Sequence, residues 1–220
     1  MKKLIIALSI ISNLIPAAFA LPTVHHSIDA SYGLGDEKFI TSFSWKPMLG
    51  FLDNDRLKVG IGLRYSGFVG DTSVEYKRVD SAYSGTSSYE LLINDPRASS
   101  FNTVFESTFD VWQGFEIGLN IDLFGAGFGK ARTGNYVSPS AQAGAQVADV
   151  PNFNLLLFGK HDKGQLNSEF FVGYRCKNRL GIRAGFSHLI TEATSRGPLD
   201  GEDRYRHLGN FWFVSVGYLI

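Results

Sequence analysis

Ser187 and His188 are neighbours in this chain, and Glu192 follows four residues after His188. A hydroxyl, an imidazole and a carboxylate are the groups that acyl transfer needs as nucleophile, base and orienting acid. The spacing works against them. On a strand, adjacent side chains point to opposite faces, so a Ser187–His188 hydrogen bond would need a bulge or a strand end. The remaining histidines, His25, His26, His161 and His207, have no zinc-like spacing. The carboxylates of Asp200-Gly-Glu-Asp203 lack the ligand spacing of a calcium loop. Cys176 is alone, which excludes an internal disulfide and a cysteine zinc site. Gly125-Ala-Gly-Phe-Gly129 follows a strand, but it opens no helix and lacks the lysine-serine ending of a phosphate loop. Arg204 and Arg206 flank Tyr205, and guanidinium groups suit phosphate oxygens, so these two are candidates for lipid headgroups. Neither a metal nor a cofactor is expected.

A larger set of charges shares a simpler pattern. Leu57, Val59, Ile61, Leu63 and Tyr65 alternate with Lys58, Gly60, Gly62, Arg64 and Ser66. Phe115, Ile117, Leu119, Ile121 and Leu123 alternate with Glu116, Gly118, Asn120, Asp122 and Phe124. Segments 101–111, 169–176 and 180–190 repeat this and add Glu106, Asp110, Glu169, Arg175 and Arg183 to the polar face. A period of two is the mark of a strand with two unlike faces. Acids and amides on one face cannot point into lipid or into a sandwich core, but they can point into a small polar lumen. Lys58, Arg64, Glu106, Asp110, Glu116, Asp122, Glu169, Arg175 and Arg183 are therefore the expected polar network of a barrel interior. Mixed signs on facing strands suit ion pairs that fill the barrel; the alternative is a narrow ion or solute path.

The elements that must position these residues follow from turns and ends. Lys2 and Lys3, the apolar stretch to Ile15, and Ala18-Phe19-Ala20 read as a secretory signal peptide over residues 1–20. Residues 21–220 then form one barrel domain. Without Lys2 and Lys3, 19 basic residues face 21 acidic ones, a net charge of −2 that gives no argument for nucleic acid. Beyond the signal no apolar run reaches 18 residues, so a spanning chain must be a closed barrel. Three look-alike segments, Asn54–Gly60, Trp112–Gly118 and Lys177–Arg183, each join a tight polar turn to an alternating strand. Outer-membrane barrels have short periplasmic turns and long outer loops. That places long loops at about 70–99, 126–165 and 191–207, with a short outer turn near Gly35-Asp36. The fold class is all-β: an antiparallel up-and-down transmembrane β-barrel of eight strands, with ten as the alternative. The segment Phe153–Gly159 decides between them. It is expected as an extension of an outer loop that pairs with the strand at 166–176.

The last strand, Trp212-Phe-Val-Ser-Val-Gly-Tyr-Leu-Ile220, carries apolar residues at alternate positions, Trp212, Val214, Val216, Tyr218 and Ile220, with aromatics among them. Together with the signal, the tight turns and the alternating strands, it resembles the small outer-membrane barrels of the OmpX type or the OmpA membrane domain. Ile220 stands where those barrels usually end in Phe. Leu166–Arg175 also looks like uncharacterised outer-membrane proteins of this size. The resemblance implies a Gram-negative outer-membrane location and a monomer. It also implies outer-membrane lipid and lipopolysaccharide as surroundings, and recognition of Trp212–Ile220 by the barrel assembly machinery. Ser187, His188 and Glu192 are similar in type to the lipid A deacylase barrels, in which the His precedes the Ser with one residue between. The leading expectation is a non-enzymatic, porin-like membrane barrel with a plugged polar lumen. Its loops would serve surface interaction or envelope integrity. A lipid A-modifying enzyme, a narrow channel and a soluble lipocalin-like barrel are the rivals.

Overall fold

A computed structural model describes residues 22–79, 82, 89–137, 144–176, 179–199 and 201–220. The expected signal peptide, Lys177, Asn178 and Asp200 lie outside the described residues. The strands are β1 Thr23–Gly35, β2 Lys38–Phe51, β3 Leu57–Gly70, β4 Ser73–Arg78, β5 Glu90–Asn94, β6 Arg97–Trp112 and β7 Phe115–Phe128. They continue with β8 Arg132–Val137, β9 Gly144–Asp149, β10 Asn154–Leu155, β11 Leu166–Arg175, β12 Leu180–Leu199 and β13 Glu202–Leu219. Every ladder is antiparallel. Among the described residues no helix is long and apolar enough to cross a membrane.

The ladders form a closed circuit. β1 pairs with β2, β2 with β3, β3 with β6, and β6 with β7. β7 then pairs with β11, β11 with β12, β12 with β13, and β13 returns to β1. Closure leaves no free edge, the condition for a sheet without exposed backbone donors. The alternating faces follow: Phe43, Trp45, Ile61, Leu63, Ile117, Val172, Ile182, Val214 and Val216 are exposed on the outside, while charged and amide side chains are buried within. At one end the connections are tight. Gln113 and Gly114 both take positive φ (46° and 89°), the conformation a two-residue hairpin turn requires.

The outer ends of β12 and β13, residues 191–199 and 202–207, continue past the barrel as a hairpin, and a second circuit closes on it. β13 pairs with β4 through Tyr205↔Arg78 and Arg206↔Lys77. β4 pairs with β5, β5 with β8, and β8 with β9. β9 returns to β12 through Thr194↔Asp149 and Ser195↔Ala148. This outer circuit encloses its own apolar core of Val74, Tyr76, Leu91, Ile93, Tyr136, Ala148, Ala193 and Tyr205. The stretches read from sequence as long loops thus contain strands that roll into a cap.

Two expectations need correction. Phe124, expected on the polar face with Asp122, is exposed on the outside. The β6–β7 register shifts between Thr103↔Phe124 and Val104↔Asp122, so Leu123 is an extra residue, and this bulge resets the alternation. Residues 153–163 do not pair with β11. β10 pairs instead with β7, through Asn154↔Gly125 and Leu155↔Phe124, in the wall position above the end of β11. The reason is Asn154, fully buried at the barrel mouth. Its amide donates to Asn102 Oδ1 (2.8 Å) and accepts from the Gln165 backbone N–H (2.8 Å).

Candidate functional site

The lumen is the densest chemical feature of the molecule, and its contents are layered along the barrel axis. Nearest the tight turns, Glu116 accepts from Arg175 Nη2 (2.5 Å) and from Arg183 Nε (2.9 Å). Lys58 lies 4.0 Å from Asp110, the loosest pair of the set. Arg183 also reaches Glu106 at 3.1 Å, and Asp29 is 3.9 Å away. Lys46 bridges Asp29 (2.6 Å) and Glu106 (2.5 Å). Some of these bonds join strands that are not neighbours: Lys46 on β2 meets Glu106 on β6, and Arg183 on β12 meets the same Glu106 from across the circuit. Gly62 makes room for this. A Cβ there would sit 2.6 Å from the Lys46 Cα and Cγ.

Above this layer, Arg64 directs Nε and Nη2 at Asp122 Oδ1 (2.9 and 2.7 Å). Its Nη1 reaches Asn120 Oδ1 (2.6 Å), with Glu169 at 3.3 Å, and Nη2 also donates to the Asn167 carbonyl (2.7 Å). Asn102 and the Asn167 backbone N–H donate to Asp122 Oδ2 (2.8 and 2.9 Å). Asn120 and Asn167 donate to the two oxygens of Glu169 (2.7 and 2.9 Å). The amides satisfy oxygens that the single guanidinium cannot reach, as a buried charge requires. Higher still the chemistry changes. Ile40, Phe68, Leu189 and Phe211 form an apolar layer across the mouth. His207, Tyr76 and Thr191 lie over it, below the core of the cap.

The sequence-derived candidates separate clearly. Ser187 faces the lumen, fully buried, and its Oγ donates to Asn167 Oδ1 (2.6 Å). His188 faces out, and its Nδ1 donates to Asn210 Oδ1 (2.8 Å). Glu192 lies a further turn of the pleat along and accepts from Arg204 Nε and Nη2 (both 2.7 Å) and from Arg206 (3.2 Å). The three groups do not meet. Of the two headgroup candidates, Arg206 is turned away into the protein, while Arg204 stays partly exposed. Glu192 draws both guanidiniums, and the Asp162 carbonyl accepts from each. Arg206 is 1% exposed. His25 reaches Asp55 (2.9 Å), and His26 stacks on Trp45 (5.9 Å between ring centres). Among the described residues no group of three His, Cys, Asp or Glu side chains could hold a metal. Cys176 is exposed.

Sequence reasoning passes over Lys46, Asn154, Asn167 and Asp162. Lys46 carries a usable signal: it continues the inward parity of Ser42 and Ser44. The asparagines carry none, because an amide near a strand end is as common in solvent as in a lumen. Above the barrel, a backbone carbonyl fixes the tautomer of His207. Its Nδ1 donates to the Glu75 carbonyl (3.0 Å), which leaves Nε2 as a buried acceptor without a partner among the described residues. Burial, with the nearby Lys38 charge adding to it, holds the His207 pKa down at about 4. Burial also pushes the Tyr76 hydroxyl up to about 12.

No family model matches the chain, and no curated relative matches it. Solved structures similar to it include Neisserial surface protein A, at 11% identity and TM-score 0.38, covering 89% of this chain and 94% of that one. The attachment invasion locus protein Ail of Yersinia pestis is similar at 11% identity and TM-score 0.34, over 90% and 97% of the two chains. A major outer membrane protein from Thermus thermophilus is similar at 8% identity and TM-score 0.39, over 90% and 100%. At such identities and scores the likeness carries neither an activity nor a ligand to this chain.

Proposed function

We propose that the protein is an integral protein of the bacterial outer membrane, exported by its amino-terminal signal, whose barrel is a plugged, non-enzymatic anchor for the cap. The eight strands β1, β2, β3, β6, β7, β11, β12 and β13 are the spanning strands, the last two without their extensions at 191–199 and 202–207. Trp212–Ile220 is the segment read by the assembly machinery, and the protein is a monomer surrounded by outer-membrane lipid and lipopolysaccharide. One observation carries this reading: the closed ladder circuit is apolar outside and charged inside, the inverse of a water-soluble barrel. A lumen crossed by paired side chains and overlaid by Ile40, Phe68, Leu189 and Phe211 supports a plug over a channel. The separation of Ser187, His188 and Glu192 favours a non-enzymatic role. The cap, with its own core, is a stable surface for contact with molecules outside the cell or for envelope integrity.

The test combines location and conductance. The full chain is expected in the outer-membrane fraction. It should migrate differently in detergent gels before and after boiling, and show no discrete conductance steps in planar bilayers. Recovery as a water-soluble protein would refute the membrane reading, and regular single-channel steps would refute the plug.

A further inference from the structure

The segment 153–163 stands on the outside of the wall, where the barrel ends and the cap begins. It is joined there by the bulge, since the Leu123 carbonyl accepts from the Leu156 backbone N–H (2.8 Å). Phe158 at its tip is 77% exposed, more than any other large apolar side chain among the described residues, and Phe153 and Leu157 are exposed beside it. Phe158 also holds φ at 64°. A bulky residue in that region is strained and persists only where its surroundings fix it. Asp162 does the fixing. Its carboxylate accepts from the Leu157 and Gly159 backbone N–H groups (2.7 and 3.1 Å), and its carbonyl is clasped by Arg204 and Arg206. The apolar tip is therefore held out rigidly instead of folding back onto the protein.

We infer that this segment is a built-in membrane-docking finger that inserts Leu157 and Phe158 among outer-leaflet lipids and sets lysines against their phosphates. The inference rests on the outer-membrane reading above. Two features select lipid as the occupant. The first is continuity: Phe124, pushed outward by the bulge and paired with Leu155, joins the exposed tip to the lipid-facing band of the barrel. The second is charge. Lys160 and Lys163 are exposed on the same segment, while its acid, Asp162, is turned inward and 2% exposed. Beside them is a cleft of about 180 Å³ lined by Val79, Lys160, His161, Glu202 and Arg204. Aromatic and aliphatic tips flanked by basic residues are what interfacial segments present to a phosphate-bearing surface.

Site-directed spin labels on the full chain in vesicles test this. In a Cys176→Ser background, single cysteines replace Phe158, Val172 on the lipid-facing band, and Asn135 on the cap. Vesicles contain phosphatidylethanolamine and phosphatidylglycerol. The Val172 and Phe158 labels should collide with oxygen in preference to an aqueous nickel chelate, and the Asn135 label should show the reverse. In vesicles of an uncharged galactolipid, or with Lys160→Gln and Lys163→Gln, the inserted population at position 158 should fall by about fivefold per lysine lost. Lipid contact at 172 with water contact at 158 would overturn the finger alone. Water contact at both would overturn the membrane reading on which it rests. An unchanged ratio in galactolipid would overturn the assignment of phosphate as the lysines' partner.

Discussion

Replacing Arg64 with Met probes the lumen where its charge is least balanced. One guanidinium there serves two carboxylates, Asp122 at 2.7 Å and Glu169 at 3.3 Å, and all three side chains are buried. Met fills a similar volume but leaves both carboxylates without a cation. Removing one partner of a buried pair costs roughly 3–5 kcal/mol. Asn102, Asn120 and Asn167 remain to donate to those oxygens, which brings the expected loss to the lower end, about 3 kcal/mol. Asp122→Asn in the same chain removes the uncompensated charge nearest the vacancy, so the double variant should recover part of that loss. A coupling of about 1–3 kcal/mol is expected for residues in one network. The assay is urea unfolding of the full chain in lipid vesicles, followed by tryptophan fluorescence and by the unboiled gel band. A single-variant loss below about 1 kcal/mol, or strict additivity in the double variant, would refute the claim that the lumen is an interdependent network.

Stability should also depend on pH through His207. Its folded pKa of about 4 lies below the unfolded value near 6.5. The stabilisation is therefore complete above pH 6.5 and is lost as pH falls from 6.5 towards 4, by at most roughly 3 kcal/mol. His207→Phe should flatten that slope in a proteolysis or unfolding series across the same range. An equal slope in both proteins would assign the effect elsewhere. Leu91→Ala, at a fully buried position in the cap, is expected to cost about 2–5 kcal/mol locally. Limited proteolysis should then accelerate within β4, β5, β8 and β9 while the unboiled gel band is unchanged. A lost band would mean that cap and barrel melt as one unit.

Strand identity is legible because period two is written directly in β3, β7 and β12. Which residues share a face follows from it, and the adjacency of Ser187 and His188 already implies that they part. The bulge at Leu123 is not legible, since an extra residue in a strand changes no composition and shows only against the partner strand. The fate of Arg206 is hidden for a related reason: it depends on Asp162, 44 residues earlier in the chain. The cap is the largest omission. Val74 with Tyr76, and Leu91 with Ile93, alternate as strands do, but their closure rests on two-residue ladders to β12 and β13 that no local pattern announces.

The β12–β13 hairpin belongs to both circuits, which links the order in which they can form. The barrel cannot close until β13 meets β1, a contact between Ser27 and Leu219, and the cap cannot close until β13 meets β4. Both steps join distant parts of the chain and wait on the same late hairpin. Such non-local pairing makes a slow final event. Before that event β1, β4, β9 and β11 all present open edges, so an assembly factor that shields the unpaired hairpin would protect both rings at once.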